Sequence, residues 1–274
     1  MLQWPKYFKH SLGQNFLRDD RVLEHIVDCI DPRPEDNMLE IGAGIGVLTR
    51  KLLPKVNHLT VVEVDSSLLP FLTVNCKDWL SRMSVHQEDI LQFSLEKLGG
   101  ELRVVGNLPY NISTPLTFYL LQHYSLIKDM YFMLQKEVGE RMAALPGTAA
   151  YGRLSVMVQY HCQVELLFEV PPSAFKPSPK VDSVMVKLQP RDVALSAVDS
   201  LLLQQVVRDS FSARRKTIKN ALSHYLNQKD WEILAIDAGW RSEQLSVEDY
   251  VKISNYISNS TSVNEQCSGS YSAG

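Results

Sequence analysis

The sequence predicts an α/β fold: a doubly wound, mostly parallel sheet of seven strands, followed by a small all-α domain. Three observations carry this. Short apolar runs alternate with helical periods from about residue 37; two longer β-like runs follow, with only a Pro-rich loop between them; and after Pro190 the pattern is helical only. Parallel neighbours must be joined by a crossover, usually a helix, so strand-helix alternation implies a parallel sheet.

Taken in order, NMLEI (37–41), LTVVEV (59–64), SVHQ (84–87), LRVVGN (102–107) and DMYFML (129–134) read as strands bounded by turn residues. LSVMVQYHCQVELLF (154–168) and VDSVMVKLQP (181–190) read as an antiparallel pair at one sheet edge. Beyond them, helices are expected near 195–208 and 214–226, and from Asp230 to a stop at Gly239. A last helix starts at the Ser246 cap, with Val247, Tyr250, Val251 and Ile257 on one face. This divides the chain into a domain at 1–190, a helical domain at 191–257 and a Ser/Asn/Gly-rich tail at 258–274, expected to be disordered.

With 274 residues, 45% of them hydrophobic, the chain can bury a sizeable core. No apolar stretch approaches the roughly 18 to 20 residues of a membrane span, and MLQWPKYFKH lacks the apolar centre of a secretory signal, so a cytoplasmic location without membrane attachment is expected. Cys29, Cys76, Cys162 and Cys267 are scattered without a C-x-x-C pair, which indicates neither a disulfide framework nor a metal site. A net charge of −3 gives no general attraction to nucleic acid, so a polyanion would have to meet local basic patches.

LEIGAGIGVLT (39–49) reads as strand, glycine turn, helix. Gly42, Gly44 and Gly46 allow a sharp bend and close approach of a ligand. The spacing is G-x-G-x-G, and Leu48 stands two places after Gly46, so the nicotinamide fingerprint is broken. What remains suits an adenosine cofactor with an amino-acid end in place of phosphates. In VVEVD (61–65), alternation puts Glu63 and Asp65 on one side; Glu63 is the candidate for ribose hydroxyls and Asp65 for a helix cap. In HQEDIL, Asp89 could accept from an adenine amino group and Ile90 could lie against the ring.

GNLPYNIS (106–113) follows the fourth strand, beside the switch point where such sheets bind ligands. An ordinary strand-ending turn is the plain alternative. The Asn107 side-chain carbonyl and the Leu108 main-chain carbonyl, held by rigid Pro109, can accept both N–H bonds of an exocyclic amine, and Tyr110 can stack on its ring. Acceptors off the ring plane favour a pyramidal nitrogen whose lone pair is free to attack. His86-Gln87-Glu88 mimics the H-x-E of zinc deaminases, but no P-C-x-x-C follows.

GAGIG, VEVD, QEDI and NLPY in that order, with GQNFL before and FKPSPKVDSV after, resemble the ribosomal RNA adenine dimethyltransferases of the KsgA/Dim type from Tyr7 to about Ile257. The resemblance implies a Rossmann-like S-adenosylmethionine-dependent methyltransferase domain, with S-adenosyl-L-methionine as donor. It implies that Asn107 and Tyr110 position the target adenine, that Gly42, Gly44, Glu63, Asp89 and Ile90 hold the cofactor, and that Gln14, Asn15 and Leu17 close over it. Phe175 would cover the adenine from the opposite side, and Lys176 and Lys180 would meet neighbouring phosphates. Arg214, Arg215 and Lys216, in FSARRKTIKNAL, crowd the first turn of an expected helix, where the dipole disfavours cations and a phosphate would offset that. The implied substrate is a pair of adjacent adenines in the 3′-terminal hairpin loop of small-subunit ribosomal RNA, met by a monomer within an assembling 30S-type subunit. The low overall charge agrees with a ribonucleoprotein substrate. Rival readings are the large-subunit RNA methyltransferases of antibiotic resistance, an assembly or transcription factor with dispensable catalysis, and DNA adenine methylation.

Overall fold

In a computed structural model, residues 2–5, 14–109, 112–191, 197–212 and 215–268 are described, without the side chains of 261–268. They fall into two compact units: 1–140 with 162–190, and 141–161 with 191–274.

The first unit carries a seven-stranded sheet in the order β4-β3-β2-β5-β6-β9-β7. Its strands are β2 (Asn37–Ile41), β3 (Leu59–Val62), β4 (Met83–His86), β5 (Leu102–Asn107), β6 (Ile127–Gln135), β7 (Cys162–Val170) and β9 (Ser183–Pro190). The five from β2 to β6 are parallel, and β9 runs antiparallel to both β6 and β7. The expected antiparallel pair therefore closes one end of the sheet. Two short strands, β1 (Phe16–Leu17) and β8 (Phe175–Lys176), pair antiparallel with Leu17 opposite Phe175.

Helices α1 (Asp20–Ile30), α2 (Thr49–Leu52), α3 (Leu69–Asn75), α4 (Ser113–Gln122) and α5 (Lys136–Ala143) join these strands. Asp19 caps α1, accepting from the N–H groups of Arg21 and Val22, and Leu23, Ile26, Val27 and Ile30 face the core. The end of α1 is tied to the sheet by Arg103 of β5, which is buried. Its Nη2 donates to the Ile30 carbonyl (2.6 Å), its Nε to Asp129 (3.0 Å) and its Nη1 to Asp36 (2.6 Å). A buried guanidinium with several partners has one orientation. It anchors the lower end of β5, and β5 presents Asn107 at its upper end.

The first half of one expected strand, 154–168, is a helix. Residues 153–161 form α6 (Arg153–His161), and the strand begins only at Cys162. Leu154, Ser155, Val156, Met157 and Val158 are all buried. A helix apolar around most of its circumference lacks the 3.6-residue stripe, and its valines read as strand. This segment belongs to the second unit, although the sequence suggested it lay in the first.

The second unit continues with α7 (Ser200–Ser212), α8 (Ile218–Ala221), α9 (Gln228–Leu234) and α10 (Val247–Ser268). Its centre is aromatic: Phe211 lies 6.3 Å from the Tyr151 ring and 6.0 Å from that of Tyr250, whose hydroxyl donates to the Ser242 carbonyl (2.8 Å). The expected helix at 214–226 shrinks to α8, because Thr217 is extended and bridges antiparallel to Arg241. Asn227 and Asp230 form a capping box, so Asp230 sits inside α9, which ends at Ala235 in a left-handed turn before Gly239. Ser246 and Asp249 exchange cap bonds at the start of α10, and Val247, Tyr250, Val251 and Ile257 are buried as expected. Of the tail expected to be disordered, 258–268 continue α10, and 269–274 lie outside the described residues.

Candidate functional site

The sheet reverses its winding between β2 and β5, and a crevice opens beyond the carboxyl ends of these strands. It holds a cavity of about 230 Å³. β2 ends at Ile41, and the chain turns through Gly42, Gly44 and Gly46 at φ of 70°, 59° and 84°. Side chains other than glycine rarely adopt such values. A Cβ on Gly42 would meet nothing within 4 Å, whereas one on Gly44 would lie 2.6 Å from the ring of Phe16. The turn thus leaves open space at its first glycine and is covered by an aromatic at its second.

Glu63 follows β3 and is buried, yet lines the cavity. Its Oε2 accepts from the N–H of Gly44 (2.8 Å) and its Oε1 from the N–H of Asp65 (2.9 Å). Burial pushes its carboxyl upward, and those two N–H donors work against the shift. Each carboxylate oxygen keeps a further lone pair for a hydroxyl. Asp65 does not line the cavity. β3 stops at Val62, before alternation can extend to Asp65, and Val64 lines the wall in its place. The Asp65 carboxylate accepts from Ser67 N (3.0 Å) and Oγ (2.6 Å), closing the turn ahead of α3, and takes Gln14 Nε2 at 2.7 Å. Asp89 turns its Oδ1 to Leu91 N (3.0 Å) and lines the cavity beside buried Ile90.

The corner after β5 completes the site. Gly106 is needed because a Cβ there would stand 2.7 Å from the Ile41 carbonyl oxygen. Asn107 Nδ2 donates to the Asn15 carbonyl at 2.8 Å. Only an N–H can face that oxygen, so the amide has one orientation and Oδ1 is left as an acceptor. The Leu108 N–H donates to the Met133 carbonyl (3.2 Å), and the Pro109 carbonyl takes Ile112 N (3.1 Å) and Ser113 Oγ (3.1 Å). No described group donates to the Leu108 carbonyl. Leu108 and Pro109 line the cavity with Asn107.

The cavity therefore gathers Gln14, Asn15, Gly42, Gly44, Glu63, Asp89, Ile90 and Asn107. Leu17 is not among its walls; it points into a smaller space of about 40 Å³ beneath, with Glu40 and Gly106. Phe175, expected to cover an adenine, is not among the cavity walls either: it is 3% exposed and packed in the core cluster. Pairing of β8 with β1 turns the ring inward, and the Pro-rich surroundings gave no sign of that partner strand. Lys176 and Lys180 are exposed, with Lys176 Nζ 5.6 Å from the centre of the Trp4 ring. Arg215 and Lys216 are exposed in the second unit, but precede α8 rather than occupying a helical first turn, so the dipole argument does not hold there. Tyr110 and Arg214 lie outside the described residues.

Sequence reasoning missed Phe16, Val64, Glu88 and Glu40. Phe16 gave no separate signal, since β1 is too short to show a period and Phe16 and Leu17 are both buried. Glu40 gave no signal. It is 2% exposed, its Oε2 has no hydrogen-bond partner among the described residues, and burial pushes its carboxyl up to about 7.

The profile of one protein family, described as "Ribosomal RNA adenine dimethylase", matches residues 6–259. The chain belongs to the ribosomal RNA adenine dimethylase family. It is thus a methyltransferase enzyme that acts on ribosomal RNA. A dimethylase relative named "Ribosomal RNA small subunit methyltransferase A", from Legionella pneumophila (strain Lens), is 50% identical over 92% of this chain and 98% of its own. One of the same name from Pseudomonas fluorescens is 49% identical over 93% and 96%. Among solved structures, a dimethyladenosine transferase from Plasmodium falciparum superimposes with a TM-score of 0.76 at 30% identity, covering 87% of this chain and 95% of that one. The 23S rRNA methyltransferase ErmE shares the dimethylase fold, at a TM-score of 0.70 and 22% identity over 89% and 100%.

Proposed function

We propose that this dimethylase uses S-adenosyl-L-methionine to methylate the N6 amines of two adjacent adenosines in the 3′-terminal hairpin loop of small-subunit ribosomal RNA, within an assembling 30S-type subunit. The observation that carries the reading is the corner at Asn107 and Leu108. Two carbonyl oxygens without described donors stand at the rim of a cavity suited to a nucleoside with an amino-acid end.

The residues fit that donor. Open space at Gly42 admits close approach of a ligand to the backbone. Glu63 can accept the ribose hydroxyls, and Asp89, with Oδ2 to spare beside Ile90, can take the adenine. When bound, the donor supplies a methyl group already activated by a sulfonium, so the protein needs neither a metal nor a strong base.

The chain's own work is alignment. Asn107 Oδ1 and the Leu108 carbonyl accept the two N–H bonds of the target amine and hold its lone pair toward the methyl group. Proximity of this kind can supply several kcal/mol. Each transfer releases one amine proton to solvent, so after the first a single N–H remains, and the substituted amine must turn before the second. Tyr110 is proposed to stack on the flipped base. Buried Phe175 could join it only if the β1/β8 pair shifted. Lys176, Lys180, Arg214, Arg215 and Lys216 are proposed as phosphate contacts, with the second unit serving recognition. Ribosome assembly sets the place of action in the cytoplasm, where the chain would work as a monomer.

The test is to incubate purified protein and labelled donor with undermethylated small subunits, large subunits and DNA, then digest and map the labelled nucleosides. N6,N6-dimethyladenosine confined to the small-subunit 3′ loop supports the reading; label elsewhere, or none, overturns it.

A further inference from the structure

The segment from Gln14 to Arg18 lies at the site as a strap that, among the described residues, is tied at three places. At one end Gln14 Nε2 donates to Asp65 Oδ2 at 2.7 Å. In the middle the Asn15 carbonyl receives Asn107 Nδ2 at 2.8 Å. At the other end lie the two-residue β1/β8 ladder and a bond from Arg18 N to the Ala174 carbonyl (2.8 Å). Gln14 and Asn15 fall outside the ladder, so it does not fix them.

Asp65 is built as an acceptor for the strap. It is 3% exposed; the two Ser67 donors meet its Oδ1, and Gln14 Nε2 meets its Oδ2. Its own N–H donates to Glu63 Oε1. A continuous set of bonds thus runs from Glu63 through Asp65, Gln14 and Asn15 to the Asn107 amide, joining the cofactor side of the cavity to the amine-binding corner.

We propose that Gln14 and Asp65 are positioning residues for methyl transfer: their bond seats the strap so that the Asn15 carbonyl keeps Asn107 Oδ1 turned toward the target amine. This rests on the adenine-methylating reading of the corner given above. Gln14 then acts through the strap rather than by holding the cofactor itself.

A two-residue exchange tests it. Gln14→Glu sets a second carboxylate against Asp65 Oδ2. Adding Asp65→Asn restores the bond in reverse, because the Ser67 donors keep the amide oxygen on their side and leave its NH2 facing the new carboxylate. Turnover on undermethylated small subunits and calorimetric affinity for S-adenosylhomocysteine are measured from about pH 5.5 to about pH 8, where a carboxylate pair takes up a shared proton. Gln14→Glu is expected to lower kcat roughly tenfold or more at the alkaline end and to recover as pH falls. The double variant is expected within about threefold of the parent, as coupled pairs behave. Equal loss in the single and double variants, or a Gln14→Glu protein that matches the parent, overturns the proposal. Gln14→Met, which removes the bond without adding charge, keeps the test readable if the charged variant does not fold; its kcat should fall about fivefold without recovery at low pH, and parent-like kcat overturns the proposal. A parent protein inactive on ribosomal RNA would sink the functional reading instead, whereas an active parent with indifferent variants sinks only the strap.

Discussion

Replacing Gly44 and Gly42 separately by Ala separates two demands that the glycine turn must meet at once. Both positions have positive φ, 59° and 70°, so either alanine incurs about 1–2 kcal/mol of backbone strain. Their surroundings differ. At Gly44 the new methyl would stand 2.6 Å from Phe16 Cε1, against roughly 3.5–4.0 Å for an ordinary carbon contact, so the ring must retreat by about 1 Å. Phe16 is 7% exposed and belongs to the strap, and overpacking such a site costs about 1–3 kcal/mol more. Gly44→Ala should therefore lose about 2–5 kcal/mol of stability in urea unfolding, and Gly42→Ala only about 1–2 kcal/mol. In calorimetric titration with S-adenosylhomocysteine the order should change: if the proposed cofactor approaches the backbone here, Gly42→Ala, whose methyl enters open space, should lose affinity well beyond its loss of stability. Equal destabilisation by the two substitutions would show that Phe16 does not rest on the turn. Unchanged affinity in Gly42→Ala would show that the ligand does not approach there.

Three further outcomes follow from named contacts. Burial pushes the Glu40 carboxyl up to about 7, so between about pH 4.5 and pH 7 the folded chain binds its proton more tightly than the unfolded chain, and stability falls as pH rises through that window, by about 3 kcal/mol at most. Glu40→Gln should flatten this dependence in urea melts at either end of the range; an unaltered slope refutes the assignment. Asn107→Asp sets an oxygen against the Asn15 carbonyl, now 2.8 Å from Nδ2, and should lower kcat about 10- to 100-fold on undermethylated subunits, with parent-like turnover refuting the oriented amide. If exposed Arg215 and Lys216 meet phosphates, changing both to Ala should flatten the log–log salt dependence of RNA binding by about 1.5, measured by filter binding, and an unchanged slope removes them from the interface.

Much of the site was legible because its parts are backbone devices with residue-specific requirements. Positive φ at Gly42 and Gly44 demands glycine, Pro109 stiffens a corner, and an acid at the end of a second strand stands beside the turn of the first. Such requirements show in a linear sequence at short range. Phe175 was misjudged for the opposite reason: its burial depends on Phe16 and Leu17, more than 150 residues away, and nothing local distinguishes a covered aromatic from an exposed one. The Arg215 and Lys216 helix failed likewise, since Thr217 is drawn into extended form by its bridge to distant Arg241.

By itself, then, the sequence determined the alternation of strands and helices, the glycine turn, the buried acid Glu63 beside it and the Asn-Leu-Pro corner, all of which rest on periodicity or on conformations few residues tolerate. Only the tertiary structure decided which way the Asn107 amide faces, that Asp65 holds Gln14 instead of lining the cavity, and that 153–161 is a helix of the second unit. These depend on partners brought from remote parts of the chain, and a hydrogen bond's direction or a side chain's burial exists only once both partners are in place.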